Sequence, residues 1–142
     1  MKPLILLLFL VAGNALYGSI KLDTIANWQI YYDSELITSG NEYAHRVPDT
    51  GVLKFGEERK NLVIHYGYDF DKPEWREITI KSGDEIIYSA KEELKDNHPA
   101  KIDFSKIRQI GEGKIKGIQV YYSDDITTEK NRLISKINLI YP

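Results

Sequence analysis

The chain has 142 residues, with 19 lysines and arginines against 21 aspartates and glutamates and a formal net charge of −2. This length fits one domain, and the near balance of charge excludes the electrostatic footprint of a nucleic-acid-binding protein or of a protein attracted to anionic membrane. Cysteine is absent, which excludes disulfides, thiol catalysis and cysteine-ligated zinc. Ten tyrosines favour strands over helices, because aromatic side chains suit a pleated, half-buried surface.

Residues 1–15 have the features of a secretory signal peptide. Lys2 supplies the positive start, residues 4–12 form an apolar run, and Gly13 and Ala15 provide small residues for cleavage after Ala15. The apolar run is about half of the ~20 residues that span a bilayer, so no stable membrane anchor is expected after signal removal. We therefore expect a secreted or periplasmic protein, and export without cysteine favours a bacterial origin.

Alternation of apolar and polar residues predicts strands along the first half of the remaining chain. Residues 28–32 and 35–37 flank Asp33–Ser34, which predicts a hairpin or, alternatively, a bulged strand. An irregular stretch follows, in which a strand is expected around residues 52–55. Residues 61–68 alternate more regularly, and Pro73 excludes the next turn from a strand ladder.

The second half of the chain continues this pattern. Residues 75–81 and 85–89 flank Ser82–Gly83 and predict a hairpin, while residues 118–122 and 133–141 predict the last two strands. Residues 90–97 fit either a single helical turn or an exposed crossover. Residues 105–110 fit either a strand or a helical turn, because Ile107 and Ile110 are three positions apart.

These elements predict an all-β fold, a single antiparallel β-sandwich domain over residues 19–142. About seven strands with turns every 8–12 residues or so and no long helix are typical of a sandwich. We expect an immunoglobulin-like arrangement rather than a barrel. The Cys–Trp–Cys pattern of true immunoglobulin domains is absent, so that name refers to architecture only.

The sequence contains no motif for nucleophilic catalysis or nucleotide binding. It has no Gly-x-Ser-x-Gly, and its three histidines, including His65 and His98, are widely spaced, so no catalytic triad is predicted. His65 is expected to be a surface or cross-strand residue. The glycine-rich residues 111–117 lack the Gly-Lys-Ser/Thr ending of a phosphate-binding loop and predict a strand connection.

Two acidic loops carry the sharpest chemical hypothesis. Asp69 and Asp71 follow one predicted strand, and Asp124 and Asp125 follow another. In an immunoglobulin-like order these loops lie at the same end of the sandwich, where aspartate oxygens could bind calcium or serve as a glycosidase acid and base. The alternative is that aspartate favours turns by bonding its own backbone. No other cofactor is predicted.

Two tyrosines are candidates for partner binding. Tyr31 and Tyr121 each lie on the face opposite the apolar set of their strand, where a ring can stack on a sugar or anchor a protein. The alternative is that they serve β-propensity alone. We therefore predict an exported, non-catalytic module that binds a protein or cell-surface glycan; the alternative is a small secreted calcium-dependent module or hydrolase that uses the loop carboxylates.

Overall fold

The computed structural model describes residues 25–43, 50–56, 60–127 and 129–142, and the predicted signal peptide lies outside these ranges. Two short helices separate the seventh and eighth strands: a 3-10 helix (Phe104–Lys106) and α1 (Arg108–Gly111). No described helix is both long and apolar enough to cross a bilayer. The strands of the described residues are β1 (Ala26–Tyr32), β2 (Glu35–Asn41), β3 (Thr50–Lys54), β4 (Asn61–Tyr68), β5 (Trp75–Ser82), β6 (Glu85–Glu93), β7 (Ala100–Asp103), β8 (Gly117–Asp124) and β9 (Arg132–Ile140).

The strands form two sheets that pack face to face. The four-stranded sheet has the order β2-β1-β4-β7, and the five-stranded sheet has the order β3-β9-β8-β5-β6. Neighbouring strands are antiparallel except β3, which runs parallel to β9. The predicted all-β sandwich is confirmed, and the strand expected around residues 52–55 is β3. The described residues hold nine strands rather than about seven, and the immunoglobulin-like strand order stays a prediction.

The core lies between the sheets because the strands alternate with a period of two. In β1, Trp28, Ile30 and Tyr32 are buried, whereas Asn27 and Gln29 on the opposite face are exposed. Burying one isoleucine side chain fully is worth about 1.5–3 kcal/mol. The same alternation therefore fixes which residues of each strand build the core and which form its outer surface.

A stack of aromatic rings connects the two sheets. Trp28 on β1 and Tyr66 on β4 are stacked with ring centroids 5.8 Å apart. Tyr66 in turn stacks on Tyr122 of β8, with centroids 3.6 Å apart and an interplanar angle of 12°. Because β1 and β4 belong to one sheet and β8 to the other, this stack holds the sheets in a defined relative position.

The turn between β1 and β2 is fastened to β4. Asp33 has a positive φ of 51°, a conformation that aspartate tolerates. Its carboxylate accepts hydrogen bonds from the backbone N–H of Lys60 and from Asn61 Nδ2, both at 2.8 Å. The bond from Asn61 lowers the pKa of the Asp33 carboxyl. The hairpin predicted around Asp33 is confirmed, and β1 also has a register shift after Ile30, so both features occur together.

The structure decides the two segments that the sequence left ambiguous. β6 continues through Glu93, which pairs with Trp75, and the chain then crosses to β7 in the other sheet. Of the two alternatives for residues 90–97, the helical turn is therefore wrong. Pairing with β5 outweighs the helix propensity of this glutamate- and lysine-rich stretch. Residues 104–106 and 108–111 are helical rather than strand-like. Asp103 begins the 3-10 helix, where its side chain accepts a hydrogen bond from the backbone N–H of Ser105 at 3.0 Å.

Gly40 provides the first testable prediction. A Cβ at Gly40 would lie 2.7 Å from Cε2 and Cζ2 of Trp28, whose buried indole rests on this part of β2. Gly40→Ala should therefore displace the indole and lower the free energy of unfolding by about 1–3 kcal/mol, measured by urea denaturation. Gly56→Ala is the matched control, because no described atom lies within 4 Å of its Cβ position. Equal effects of both substitutions would contradict the prediction.

Candidate functional site: a groove on the four-stranded sheet

A groove of about 660 Å³ lies on the outer face of the four-stranded sheet. Strands β1, β2 and β4 form its floor, and residues 97–99 form one wall. It occupies the part of the sheet where β1 begins and β4 ends. The polar side chains that line it from the exposed positions of these strands and from the wall are Asn27, Gln29, Ser39, Asn41, His65 and Asn97.

Strand register places the outward side chains in cross-strand rows. The middle strand is β1, and each of its outward residues has a partner on β2 and another on β4. The rows are Asn41–Asn27–Gly67, Ser39–Gln29–His65 and Leu36–Tyr31–Val63. The first two rows lie in the groove and the third continues the same face beyond it. Residues that are far apart in the chain thus form one continuous surface.

The groove is polar and nearly uncharged. None of the described residues that line it is lysine or arginine, and Asp69 is the one carboxylate among them. Asp69 Oδ1 accepts a hydrogen bond from Asn27 Nδ2 at 3.2 Å. The floor includes Gly67, which carries no side chain. This combination favours hydrogen bonding to an uncharged polar ligand over charge pairing.

A buried arginine holds the wall of the groove in place. Arg76 projects inward from β5 and is only 2% exposed. Its Nη1 donates to the backbone carbonyl of His98 at 2.6 Å, and its Nε donates to Glu92 Oε1 at 2.5 Å. His98 Nδ1 lies 2.6 Å from Asp96 Oδ1. A buried charge of this kind is retained only when it is paired, so these bonds position residues 97–99 against β4.

A hydrogen bond beneath the groove joins the two sheets. Tyr68 OH on β4 donates to Asp124 Oδ2 on β8 at 2.5 Å. The other oxygen of Asp124 accepts from the backbone N–H groups of Ile126 at 3.1 Å and Thr127 at 2.9 Å. Burial, followed by the hydrogen bond to Asp124, raises the pKa of Tyr68 far above its ordinary value, so the hydroxyl remains a donor at neutral pH.

The acidic loops lie side by side, as the sandwich prediction required, but their carboxylates face different partners. Asp125 Oδ1 accepts from the backbone N–H groups of Glu74 at 2.9 Å and Trp75 at 3.3 Å. Asp124 is fully buried, whereas Asp71 is exposed and Asp69 contacts Asn27. The described residues contain no group of three or more histidine, aspartate or glutamate side chains that could hold a metal ion. Calcium binding and hydrolysis stay predictions, without support from this geometry.

The candidate tyrosines lie on opposite outer faces of the sandwich. Tyr31 OH donates to Gln29 Oε1 at 3.1 Å, and its ring meets His65 edge-on with centroids 5.4 Å apart. Tyr121 OH donates to Gln119 Oε1 at the same distance of 3.1 Å, but Lys81 Nζ lies 4.9 Å from the centre of its ring. The two tyrosines therefore cannot form one patch, and only Tyr31 adjoins the groove.

Sequence reasoning missed most residues of the groove. No functional role was predicted for Gln29, Ser39 or Arg76. The alternation of β1 does mark Asn27, Gln29 and Tyr31 as outward-facing. Their convergence with Ser39 and His65 depends on strand register, which no local pattern specifies. His65 is an exposed, cross-strand residue, as predicted.

The bond between the sheets can be tested by removing one hydroxyl. Tyr68→Phe leaves a buried oxygen of Asp124 without its donor, so the free energy of unfolding should fall by about 1–3 kcal/mol in urea denaturation. Tyr141→Phe is the matched control, because the Tyr141 hydroxyl is buried and has no hydrogen-bond partner among the described residues. Its removal breaks no hydrogen bond and relieves an unsatisfied buried group, so stability should not fall. A similar loss in both variants would show that the Asp124 bond is not the cause.

Calcium binding can be tested by thermal or urea unfolding. Because both oxygens of Asp124 are occupied, we expect the same stability in calcium and in EDTA. A calcium site with a dissociation constant of ~10⁻⁴ M would raise the free energy of unfolding by about 1.4 kcal/mol at ~1 mM calcium. An increase of that size, lost in Asp125→Asn, would contradict this expectation and restore the calcium hypothesis.

Comparison with known proteins gives no family assignment. No protein-family model matches the chain, and no curated protein is significantly similar to it. Function is therefore inferred from the geometry and chemistry of the groove.

Proposed function

We propose that the protein is an exported, non-catalytic β-sandwich module that binds a protein or a cell-surface glycan partner in the groove of the four-stranded sheet. The groove is the observation that carries this proposal. Its volume of about 660 Å³ falls within the ~300–1,000 Å³ of small-ligand sites. Such a site also accommodates one segment of a larger partner.

Available hydrogen-bonding groups in the groove support the proposal. The side chains of Ser39, His65 and Asn97 have no hydrogen-bond partner within the described part of the chain, and Gln29 uses only its carbonyl oxygen, to accept from Tyr31. A concave surface with several convergent polar groups of this kind is typical of a binding site. Gln29 and Ser39 are direct cross-strand partners, so their side chains lie close together.

The contacts around the histidines favour binding over catalysis. Acyl transfer needs a nucleophile hydrogen-bonded to a base. Among the described residues, no serine or threonine hydroxyl is hydrogen-bonded to His65 or His98, and the imidazole of His98 is bonded to Asp96 instead. Asp124, the carboxylate best fixed in position, is buried away from the groove's polar side chains. These contacts support a non-catalytic role.

Strand order supports the immunoglobulin-like part of the proposal. In immunoglobulin domains the second strand lies beside the fifth in one sheet, and the third, sixth and seventh strands are neighbours in the other. Here β4 lies beside β7, and β9-β8-β5 are consecutive neighbours in the opposing sheet. Export is supported separately by the signal-like residues 1–15.

Blocking the groove tests the proposal. Gln29→Trp should fill the groove and weaken co-sedimentation with cell envelopes of the producing organism by about tenfold or more, a loss of at least ~1.4 kcal/mol. Gln119→Trp, at the equivalent outward position of β8, is the control and should bind as the unaltered protein does. Both variants should unfold at the same denaturant concentration as the parent. Absent binding, or equal binding by both variants, would refute the proposal.

A further inference from the structure

We infer that the ligand of the groove is an uncharged carbohydrate chain, bound by the amide side chains of β1 and β2 and by stacking of one sugar ring on Tyr31. This inference rests on the proposed function and adds the chemical class of the partner. It depends on the charge of the groove, on the kind of hydrogen-bonding groups in it and on the orientation of Tyr31.

Charge selects against an anionic ligand. The lining residues within the described ranges include no lysine or arginine, so a phosphate, sulfate or uronate group would meet no cation there. Asp69, the carboxylate of the lining, would repel such a group. Arg76, which lies behind the wall, is buried and bonded to Glu92 and His98. An uncharged ligand needs no cationic partner and is not repelled by Asp69.

The amide groups match the hydroxyls of a sugar. Each asparagine and glutamine side chain offers both a carbonyl acceptor and an N–H₂ donor, and a sugar hydroxyl likewise donates and accepts. Asn27 and Asn41 are direct cross-strand partners in one row, and Gln29 and Ser39 are partners in the next. Outward residues of a strand recur about every 6.8 Å, so the distance from Asn27 to Tyr31 is roughly 14 Å. A surface of that length fits several linked sugar rings better than a single one.

Tyr31 supplies an oriented aromatic surface at the end of this row of amides. Its hydroxyl is held by Gln29 at 3.1 Å, and its ring packs against His65 in a T-shaped arrangement with centroids 5.4 Å apart. The side chain is half-buried, so part of the ring remains accessible. An aromatic ring with its rotamer held in this way stacks on the apolar C–H face of a sugar at little cost in conformational entropy.

A protein partner fits the same surface less well. The cores of protein interfaces are enriched in tyrosine, tryptophan, methionine and arginine, and a few such residues dominate the binding energy. Among the outward positions of the described β1, β2 and β4, Tyr31 is the aromatic one apart from the imidazole of His65. Trp28, Tyr66 and Tyr68 also line the groove, but from buried or half-buried positions, whereas its outward side chains are mainly amides and a hydroxyl. Polar groups that both donate and accept therefore outnumber apolar anchors, which favours carbohydrate.

Affinity electrophoresis of the full-length protein tests the inference. Native gels containing xylan, mannan, dextran or laminarin as uncharged probes are compared with a gel containing alginate as an anionic probe. We expect retardation by at least one uncharged polysaccharide and none by alginate. Tyr31→Ala and Gln29→Ala should each raise the dissociation constant about tenfold or more. Tyr121→Ala and Gln119→Ala are the matched controls, because these residues form an equivalent tyrosine–glutamine hydrogen bond on the five-stranded sheet. Neither substitution should change the dissociation constant.

The outcomes separate this inference from the proposed function. Envelopes digested with protease should still bind the protein, and Gln29→Trp should abolish that binding. If protease removes the binding while Gln29→Trp also blocks it on intact envelopes, the partner is a protein: the carbohydrate inference is then overturned and the proposed function stands. Retardation by alginate alone, or by none of the uncharged polysaccharides, also overturns the inference. If Gln29→Trp leaves envelope binding intact, both are overturned.

Discussion

The contact between β4 and β8 is the interaction on which the rest of the structure depends. Tyr66 stacks on Tyr122 across the sheets, and two residues later Tyr68 donates its hydroxyl to the buried Asp124. The Tyr68 hydroxyl and both carboxylate oxygens of Asp124 have hydrogen-bond partners, as polar groups buried in a core require. Since β4 also presents His65 outward, the strand that joins the sheets beneath the groove is the strand that supplies its floor.

The buried side chain of Arg76 links the five-stranded sheet to the wall of the groove. Arg76 crosses the interior from β5 and bonds the backbone of His98, so the wall is positioned by a residue of the opposite sheet. Arg76 and Asp124 are cross-strand partners on β5 and β8, which places a buried cation beside a buried anion. The direct counter-charge of Arg76 is Glu92, so removing that carboxylate would leave the buried cation uncompensated. The groove is thus supported from below by interactions that hold the sandwich together.

Local sequence patterns predicted much of the fold but little of the site. The strand at residues 61–68 and the hairpin beginning at Trp75 follow from apolar alternation and turn residues, which act over short distances. The extension of β6 to Glu93 was missed because its residues favour helix until they pair with β5. Asp124 was predicted to be a loop carboxylate, whereas it is the last residue of β8 and accepts a hydrogen bond in the interior from Tyr68, 56 positions earlier.

By itself the sequence determined which face of each strand is apolar, because the side-chain direction in a strand has a period of two. It thereby placed Tyr31 and Tyr121 on outer faces and the two acidic loops at strand ends. Only the tertiary structure decided what surrounds them. Strand order put the two tyrosines on opposite sheets, and register brought Gln29 beside Ser39 and His65. Order and register depend on contacts between distant residues, so no local pattern encodes the groove that these contacts create.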